Sequence, residues 1–309
     1  MEQDTAAVTP ITNNGEQSNG KGWKVATAIA FIAAACGIGF GVYGMMNLNN
    51  NSQTSDTANG DSESLGKYEV RDLTGKTLRL LGSRNGLSIR DYYHSDTGSF
   101  AVDSGYMLNS KLITNSLDEA SKVYITLETT VLDKEKYCSY QWDNNVKADI
   151  DAALGYQASF GTTLLDCISY NKAKSDHYDL WGEDMPKING GTKDFAYGSN
   201  SDAYFYHIIG GRGGGFSNYV VGKIVQTSKN QESAYVDINA GTFSLRPGEA
   251  GEIHSAIEGG ELYKTIEENS INWDGFGLTD DDYGAFQSYR FVFKKNSDGI
   301  YSFSSVEKI

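Results

Sequence analysis

Proline, cysteine and histidine are scarce in this sequence, and acidic residues outnumber basic ones. Three prolines, three cysteines and four histidines occur among 309 residues, and 40 Asp and Glu stand against 26 Lys and Arg. The net charge of −14 repels phosphate backbones, so nucleic acid is not expected as a partner. No two histidines have metal-ligand spacing, so we predict neither a zinc site nor another cofactor.

One segment near the start has the composition of a membrane anchor. Residues 25–46 read VATAIAFIAAACGIGFGVYGMM, without a charge. At about 1.5 Å per residue this segment spans roughly 33 Å, which is about the hydrocarbon thickness of a bilayer. Trp23 and Tyr43 lie near its two ends, as interfacial aromatic residues do. We therefore predict a transmembrane helix over residues 23–46 that contacts the lipid bilayer.

The charges that flank this segment predict its orientation. Lys21 and Lys24 precede it, whereas the first basic residue after it is Lys67. Because cytoplasmic flanks are the positive ones, residues 1–22 are expected to form a disordered cytoplasmic tail. The chain would then be a single-pass cell-membrane protein whose C-terminal part is extracellular.

Two other interpretations of the segment involve cleavage. Ala33, Ala34 and Ala35 offer small residues for a signal-peptide site. Cys36 follows directly, which resembles a lipoprotein processing site at which Cys36 would be acylated.

Ala33, Gly37 and Gly41 also form a small-xxx-small face that would let two anchors pack as a homo-oligomer, although small residues are common in membrane helices anyway.

The remainder divides into a tether and an exported domain. Residues 47–66 are rich in Asn, Ser and Asp and have no apolar period, so we predict a flexible tether. Residues 67–309 hold 34 of the 40 acids and 24 of the 26 bases. The exported domain thus carries most of the negative charge.

Strands dominate the predicted secondary structure of the exported domain. Residues 123–131 alternate apolar and polar side chains, and two runs near the C-terminus are joined by the turn sequence Asn296–Gly299. The predicted strands are 123–131, 162–170, 219–227, 234–238, 289–295 and 300–306, and the predicted helices are 145–156 and 261–269. Ser116–Glu119 suggests a capping box for one short helical turn. Short connections favour an antiparallel sheet with helices on one face, which is an α+β fold.

Cys138 and Cys167 are the two cysteines of the exported domain, and three roles stay open for them. A disulfide is the simplest expectation outside the cell, and two separate buried thiols or a catalytic cysteine are the alternatives. Residues 163–167 resemble the TLxTC motif of sortase transpeptidases, with His94 as the required histidine. Asp166 replaces the motif's threonine, and no arginine follows before Arg212.

Two further loops have residue types found in binding sites. Residues 210–215 form a glycine-rich loop that lacks the Lys and Ser/Thr of a phosphate-binding loop, and Arg212 at its centre is a candidate for contact with an acidic partner. Asp280–Asp282 supply oxygens of the kind calcium prefers, but their consecutive positions do not fit an EF-hand. We instead predict a helix that begins at these acids and is capped by Thr279.

Aromatic side chains are the remaining candidates for contact with a partner. If exposed, they would stack on sugars or form a protein interface, whereas half-buried sheet positions are the simpler explanation. The candidates are Trp181, Trp273, Tyr204 and Tyr206.

Two stretches resemble known bacterial sequences. Residues 21–46, and CGIGFGVYGM within them, resemble the anchor of single-pass surface proteins of Saccharibacteria, reduced-genome bacteria that live attached to other bacteria. The C-terminal YRFVFKKNSDGIYSFSSVEKI is similar to a closing hairpin of exported domains of unknown function. This resemblance implies an envelope location and implies no catalytic residue.

Three functional hypotheses follow. The first is a non-enzymatic exported domain that binds another envelope protein, a glycan or a neighbouring cell's surface. The second is an envelope hydrolase or transferase of unfamiliar type, in which His177 or His207 would lie near a carboxylate. The third is a structural or assembly component of the envelope that self-associates through the anchor.

Overall fold

The computed structural model of the chain describes residues 65–82, 92–104, 109–130, 148–149, 166–188, 195–206, 217–273 and 275–309. The predicted tail (1–22), the predicted anchor (23–46) and residues 47–64 of the predicted tether lie outside these ranges. Within them, no helix combines the length and the apolar character needed to cross a bilayer.

The described residues form helices and antiparallel strands, which confirms the predicted α+β fold class. The helices are α1 (Lys67–Leu81), α2 (Asn109–Ile113), α3 (Glu119–Thr129), α4 (Tyr170–Trp181) and α5 (Asp280–Gly284). The strands are β1 (Tyr92–Tyr93), β2 (Ser99–Asp103), β3 (Asp166–Ser169), β4 (Phe195–Gly198), β5 (Ala203–Tyr206), β6 (Ser217–Lys229), β7 (Ser233–Leu245), β8 (Gly251–His254), β9 (Leu262–Ile266), β10 (Ser288–Lys295) and β11 (Tyr301–Lys308). Two 3-10 turns, Glu268–Ser270 and Gly275–Gly277, lie between β9 and α5.

Strand β7 is the centre of the larger sheet. The order along the sheet is β1-β2-β6-β7-β10-β11, and β8 pairs with β7 and then with β9. Strand β7 pairs with β6 along its whole length, with β10 over residues 233–239 and with β8 over residues 242–244. The smaller sheet has the order β3-β5-β4.

Both faces of the larger sheet are covered. One face packs against helices α1 and α4, with Val236 and Phe291 of the sheet in one cluster with Leu73 and Leu180. On the other face Phe243 belongs to a second cluster, which is completed by β8, β9 and the segment around α5. The second cluster contains Ala101, Tyr219, Val221, Phe243, Leu245, Ile253, Ile266, Phe276, Tyr283 and Phe286.

The predicted strands 219–227 and 234–238 form the hairpin β6–β7, and the predicted strands 289–295 and 300–306 form the hairpin β10–β11. Local turn chemistry determined both. In the β10–β11 turn, the side-chain oxygen of Asn296 accepts the N–H groups of Asp298 (3.0 Å) and Ile300 (2.9 Å). Gly299 has the positive φ (82°) that the turn requires. In the β6–β7 turn, the side chain of Asn230 accepts from Glu232 and Ser233 in the same way.

The strand predicted over 123–131 is wrong, because those residues lie largely in α3. Asp118 caps this helix by accepting the N–H of Ser121 at 2.7 Å, and the hydrogen bonds at Asp118 lower its pKa to about 2. The apparent alternation does not separate a buried face from an exposed one. Ile125 packs under the larger sheet, while Val123 packs against the smaller one. A helix between two cores needs apolar residues on more than one side.

The helix predicted over 261–269 is also wrong, because this segment forms β9 and then a 3-10 turn. Ile266 is drawn into the cluster on Phe243, and β9 pairs with β8 after the glycines at 259–260. Tertiary pairing overrides helix propensity here. Of the helix predicted over 145–156, only residues 148–149 are described, and both are helical. Of the strand predicted over 162–170, residues 166–169 are confirmed as β3.

Candidate interaction surface

Two of the four aromatic candidates are core residues. The ring of Trp181 is buried, and its N–H donates to the hydroxyl of Thr126 at 3.0 Å. Tyr204 is fully buried, and its hydroxyl donates to the carbonyl of Pro186 at 3.1 Å. Neither ring is available for stacking on a partner, so these two candidates are not contact residues.

Trp273 gives no open platform for stacking either. Trp273 is half-buried, with its ring 6.1 Å from the rings of both Tyr219 and Phe243. Tyr206 is the last residue of β5, and its side chain lies outside the description. Trp273 therefore packs onto the core of its own chain.

Several predicted residues lie outside the described part of the chain. They are Ala33, Cys36, Gly37, Gly41, Cys138, His207 and Arg212. Cys167 is placed by its backbone in β3, opposite Phe205 of β5. The Cys138–Cys167 bridge and the sortase-like arrangement therefore stay predictions.

Of the two histidines predicted as candidates for acid–base chemistry, His177 lies within the described residues. It is part of α4, and its side chain is completely buried. Its Nδ1 lies 2.9 Å from the hydroxyl of Thr126, and its Nε2 lies 3.8 Å from a carboxylate oxygen of Glu183. Burial lowers the pKa of His177 to about 4. The imidazole is therefore neutral at pH 7 and closed to solvent, a position that suits packing and gives a substrate no access.

The largest local charge imbalance lies elsewhere, in residues 249–284. We call this segment the acidic lobe; residue 274 is its one position outside the description. It contains ten acids and a single base, Lys264, which gives a net charge of −9 over 36 residues. Local charge counting along the sequence would have found it.

An aromatic core holds the acidic lobe on the sheet. The rings of Phe243 and Phe276 are 4.5 Å apart, and Tyr219 lies 5.7 Å from Phe276. Gly241 permits β8 to approach, because a Cβ atom there would lie 2.1 Å from the carbonyl oxygen of His254. The lobe is thus fixed by buried apolar contacts, while eight of its nine described acids are exposed.

Helix α5 begins as the sequence predicted, with Thr279 as its cap. The Thr279 hydroxyl lies 3.4 Å from the N–H of Asp282, and the Asp282 carboxylate accepts from the Thr279 N–H at 2.7 Å. Partial burial opposes ionisation of Asp282, but the hydrogen bonds outweigh it and the pKa is lowered. Asp280 pairs with Lys223 at 2.8 Å. The described residues contain no group of three His, Cys, Asp or Glu side chains able to hold a metal ion.

The outer side of the lobe combines acids with exposed apolar side chains on β9. Leu262 is 55 % exposed and Tyr263 is 38 % exposed. Eight acids of the lobe are also exposed, at positions 249, 252, 258, 261, 267, 268, 280 and 281. Exposed acids attract cationic groups, and the exposed side chains of β9 offer an apolar contact.

Comparison of the chain with protein-family models, with curated proteins and with solved structures finds no match.

Proposed function

We propose that this chain is a membrane-anchored, exported binding domain and not an enzyme. Residues 23–46 hold it in the cell membrane with the N-terminus in the cytoplasm. The acidic lobe faces the exterior and binds a basic polypeptide segment of another envelope protein or of a neighbouring cell's surface. The concentration of negative charge in that one lobe is the observation that carries the proposal.

The charge distribution favours recognition through the lobe. Residues 67–309 have a net charge of −10, and the lobe alone has −9. The rest of the exported domain is therefore close to neutral, so its electric field is directional. Directional fields raise association rates with oppositely charged partners and fade as salt is added.

The buried position of His177 favours binding over catalysis. A general acid or base must reach the proton it transfers, directly or through one water. The His177 ring is enclosed between Thr126 and Trp181, without exposed surface. His177 is therefore a packing residue of the core and does not reach the proton of a substrate.

Binding can be tested with the full chain in detergent and a lysine-rich peptide labelled for fluorescence anisotropy. A variant with Glu267→Gln, Glu268→Gln and Asp281→Asn removes three charges from the lobe. We expect roughly tenfold weaker binding, or about 1.4 kcal/mol, and a smaller dependence on salt.

The matched control neutralises three exposed acids outside the lobe: Asp96→Asn, Glu232→Gln and Glu307→Gln. We expect the control to bind like the unmodified chain. Equal weakening in both variants, or no binding of the lysine peptide to the unmodified chain at low salt, would refute the proposed function.

Topology can be tested separately on intact cells. Protease added outside should cleave residues 67–309 and leave the tail at 1–22 intact. Full-length protein recovered from the cytosol would contradict the proposed location.

A further inference from the structure

Two edge strands of the larger sheet, β11 and β9, are covered to different extents. At β11, the side chain of Asn115 occupies the edge by bonding both backbone groups of Val306. Strand β9 pairs with β8 alone among the described residues. Its residues Leu262, Tyr263 and Thr265 are exposed. An exposed strand edge is a template for pairing with another chain.

The register identifies which backbone groups face outward. The carbonyl of Glu261 accepts the N–H of Ser255 at 2.9 Å, so Glu261 bonds inward, toward the strand that continues from β8. Bonding alternates along an antiparallel strand, so the N–H and C=O of Leu262 point away from β8. Tyr263 is the extra residue of a bulge between the pairs Leu262–His254 and Lys264–Ile253. The alternation resumes after the bulge, so Thr265 is the next residue whose N–H and C=O groups face outward.

The position of β8 supports this assignment. The carbonyl of His254 points toward β7, where it would lie against a Cβ atom at Gly241. Because His254 directs its backbone groups toward β7, it does not use them to bond to its partner on β9. The partner of His254 is Leu262, which therefore has its own groups on the open side.

Charge determines what can occupy this edge. Glu261 precedes β9 directly, and Glu267 and Glu268 follow it, so acids stand at both ends of the strand. A second copy of β9 would place these acids against acids of the other copy, and like charges repel. A strand with Lys or Arg at these positions would instead form opposite-charge pairs.

We propose that β9 accepts an added strand from a basic, extended polypeptide. This inference rests on the proposed function and specifies its partner: a segment in which Lys or Arg alternates with small apolar residues. Backbone hydrogen bonds from Leu262 and Thr265 fix the register, and the apolar side chains contact Leu262. Two outward-facing residues offer few hydrogen bonds, so charge attraction supplies much of the affinity.

The first test separates strand addition from charge attraction alone. The probe is a peptide that alternates lysine and valine, compared with the same peptide N-methylated at every valine. Methylation keeps the charge and removes the N–H groups of one edge. We expect the methylated peptide to bind the full chain, in detergent, at least about tenfold more weakly than its parent.

The second test changes the strand. Thr265→Pro removes the outward N–H, at a position where an edge strand tolerates proline, whereas Thr265→Ala retains it. We expect the proline variant to lose about tenfold in affinity and the alanine variant to bind normally. Circular dichroism verifies that the proline variant is folded. The methylated peptide tests strand addition without any change to the protein.

The outcomes distinguish the two proposals. If both peptides bind equally and depend on salt, and the Thr265→Pro variant binds like Thr265→Ala, the acidic lobe binds by charge, strand addition is refuted and the proposed function stands. If neither peptide binds at low salt, the proposed function fails and strand addition with it.

Discussion

The side-chain amide of Asn115 bonds on both sides to the backbone of a single residue, Val306. Its nitrogen donates to the Val306 carbonyl at 2.9 Å, and its oxygen accepts the Val306 N–H at 2.9 Å. These are the two bonds that a neighbouring strand would make. Asn115 therefore occupies the β11 edge at Val306 from the turn after α2, where it adopts a positive φ of 53°.

Removing this amide should destabilise the fold by about 1–3 kcal/mol, because it leaves two backbone groups of β11 unpaired. Asn115→Gly removes the amide and relieves the positive φ, whereas Asn115→Ala removes the amide and keeps the strain. Denaturant unfolding should therefore rank the alanine variant below the glycine variant, and both below the unmodified chain. Unchanged stability in both variants would show that water replaces the amide without cost.

A buried lysine provides a second test of stability. Lys76 is 2 % exposed, and its ammonium group lies 2.9 Å from each of three acceptors: Asp72, Asp179 and the carbonyl of Tyr301. We expect Lys76→Met to cost about 1–3 kcal/mol in unfolding free energy, because the carbonyl of Tyr301 and the carboxylate of Asp72 lose a buried charged partner. Asp179, in contrast, keeps Arg79 at 3.8 Å.

The matched control for Lys76 is Lys174→Met. Lys174 pairs with Asp184 at 3.0 Å, but both side chains are largely exposed. Exposed pairs contribute at most about 1 kcal/mol, so this variant should unfold almost like the unmodified chain. Equal losses in the two variants would mean that burial does not strengthen the Lys76 cluster.

Features determined by neighbours in sequence were predictable. The Asn296 turn and the Thr279 cap depend on bonds to residues at most four positions away, and both were read correctly from residue type. Features determined by distant partners were not predictable. Val123 and Ile125 pack against different sheets, which made a helix look like an alternating strand.

The candidate site was likewise predictable only in part. The charge of the acidic lobe is visible in the sequence, whereas its geometry is not. Whether Leu262 lies in a helix or on an open strand depends on pairing with β8, and β8 in turn depends on its approach to Gly241. Trp181 and Tyr204 were candidates for surface contact because residue type alone does not report depth.

His177 predicts a pH dependence of stability. Its pKa is about 4 in the folded chain, because burial opposes protonation, and about 6.5 when unfolded. Between these values the unfolded chain binds a proton that the folded chain does not. Stability should therefore fall by about 3 kcal/mol as the pH drops from 6.5 to 4, and this contribution is constant outside that window.

Substitution of the histidine checks this assignment. Denaturant unfolding of His177→Gln should show a shallower loss of stability between pH 6.5 and 4, whatever its stability at pH 7. If the slope survives in His177→Gln, other groups cause the acid sensitivity.

The close approach of β7 and β8 should link the fold to binding. Gly241→Ala places a Cβ atom 2.1 Å from the His254 carbonyl, so the β8–β9 hairpin must move away from β7. We expect a loss of about 1–3 kcal/mol in stability, as for other overpacked sites, and weaker binding of the lysine–valine peptide. Gly75→Ala in α1 is the matched control, because nothing lies within 4 Å of its Cβ position, and it should add roughly 1 kcal/mol by favouring the helix. Normal peptide binding by a Gly241→Ala variant of reduced stability would mean that the peptide does not depend on where β7 holds β9.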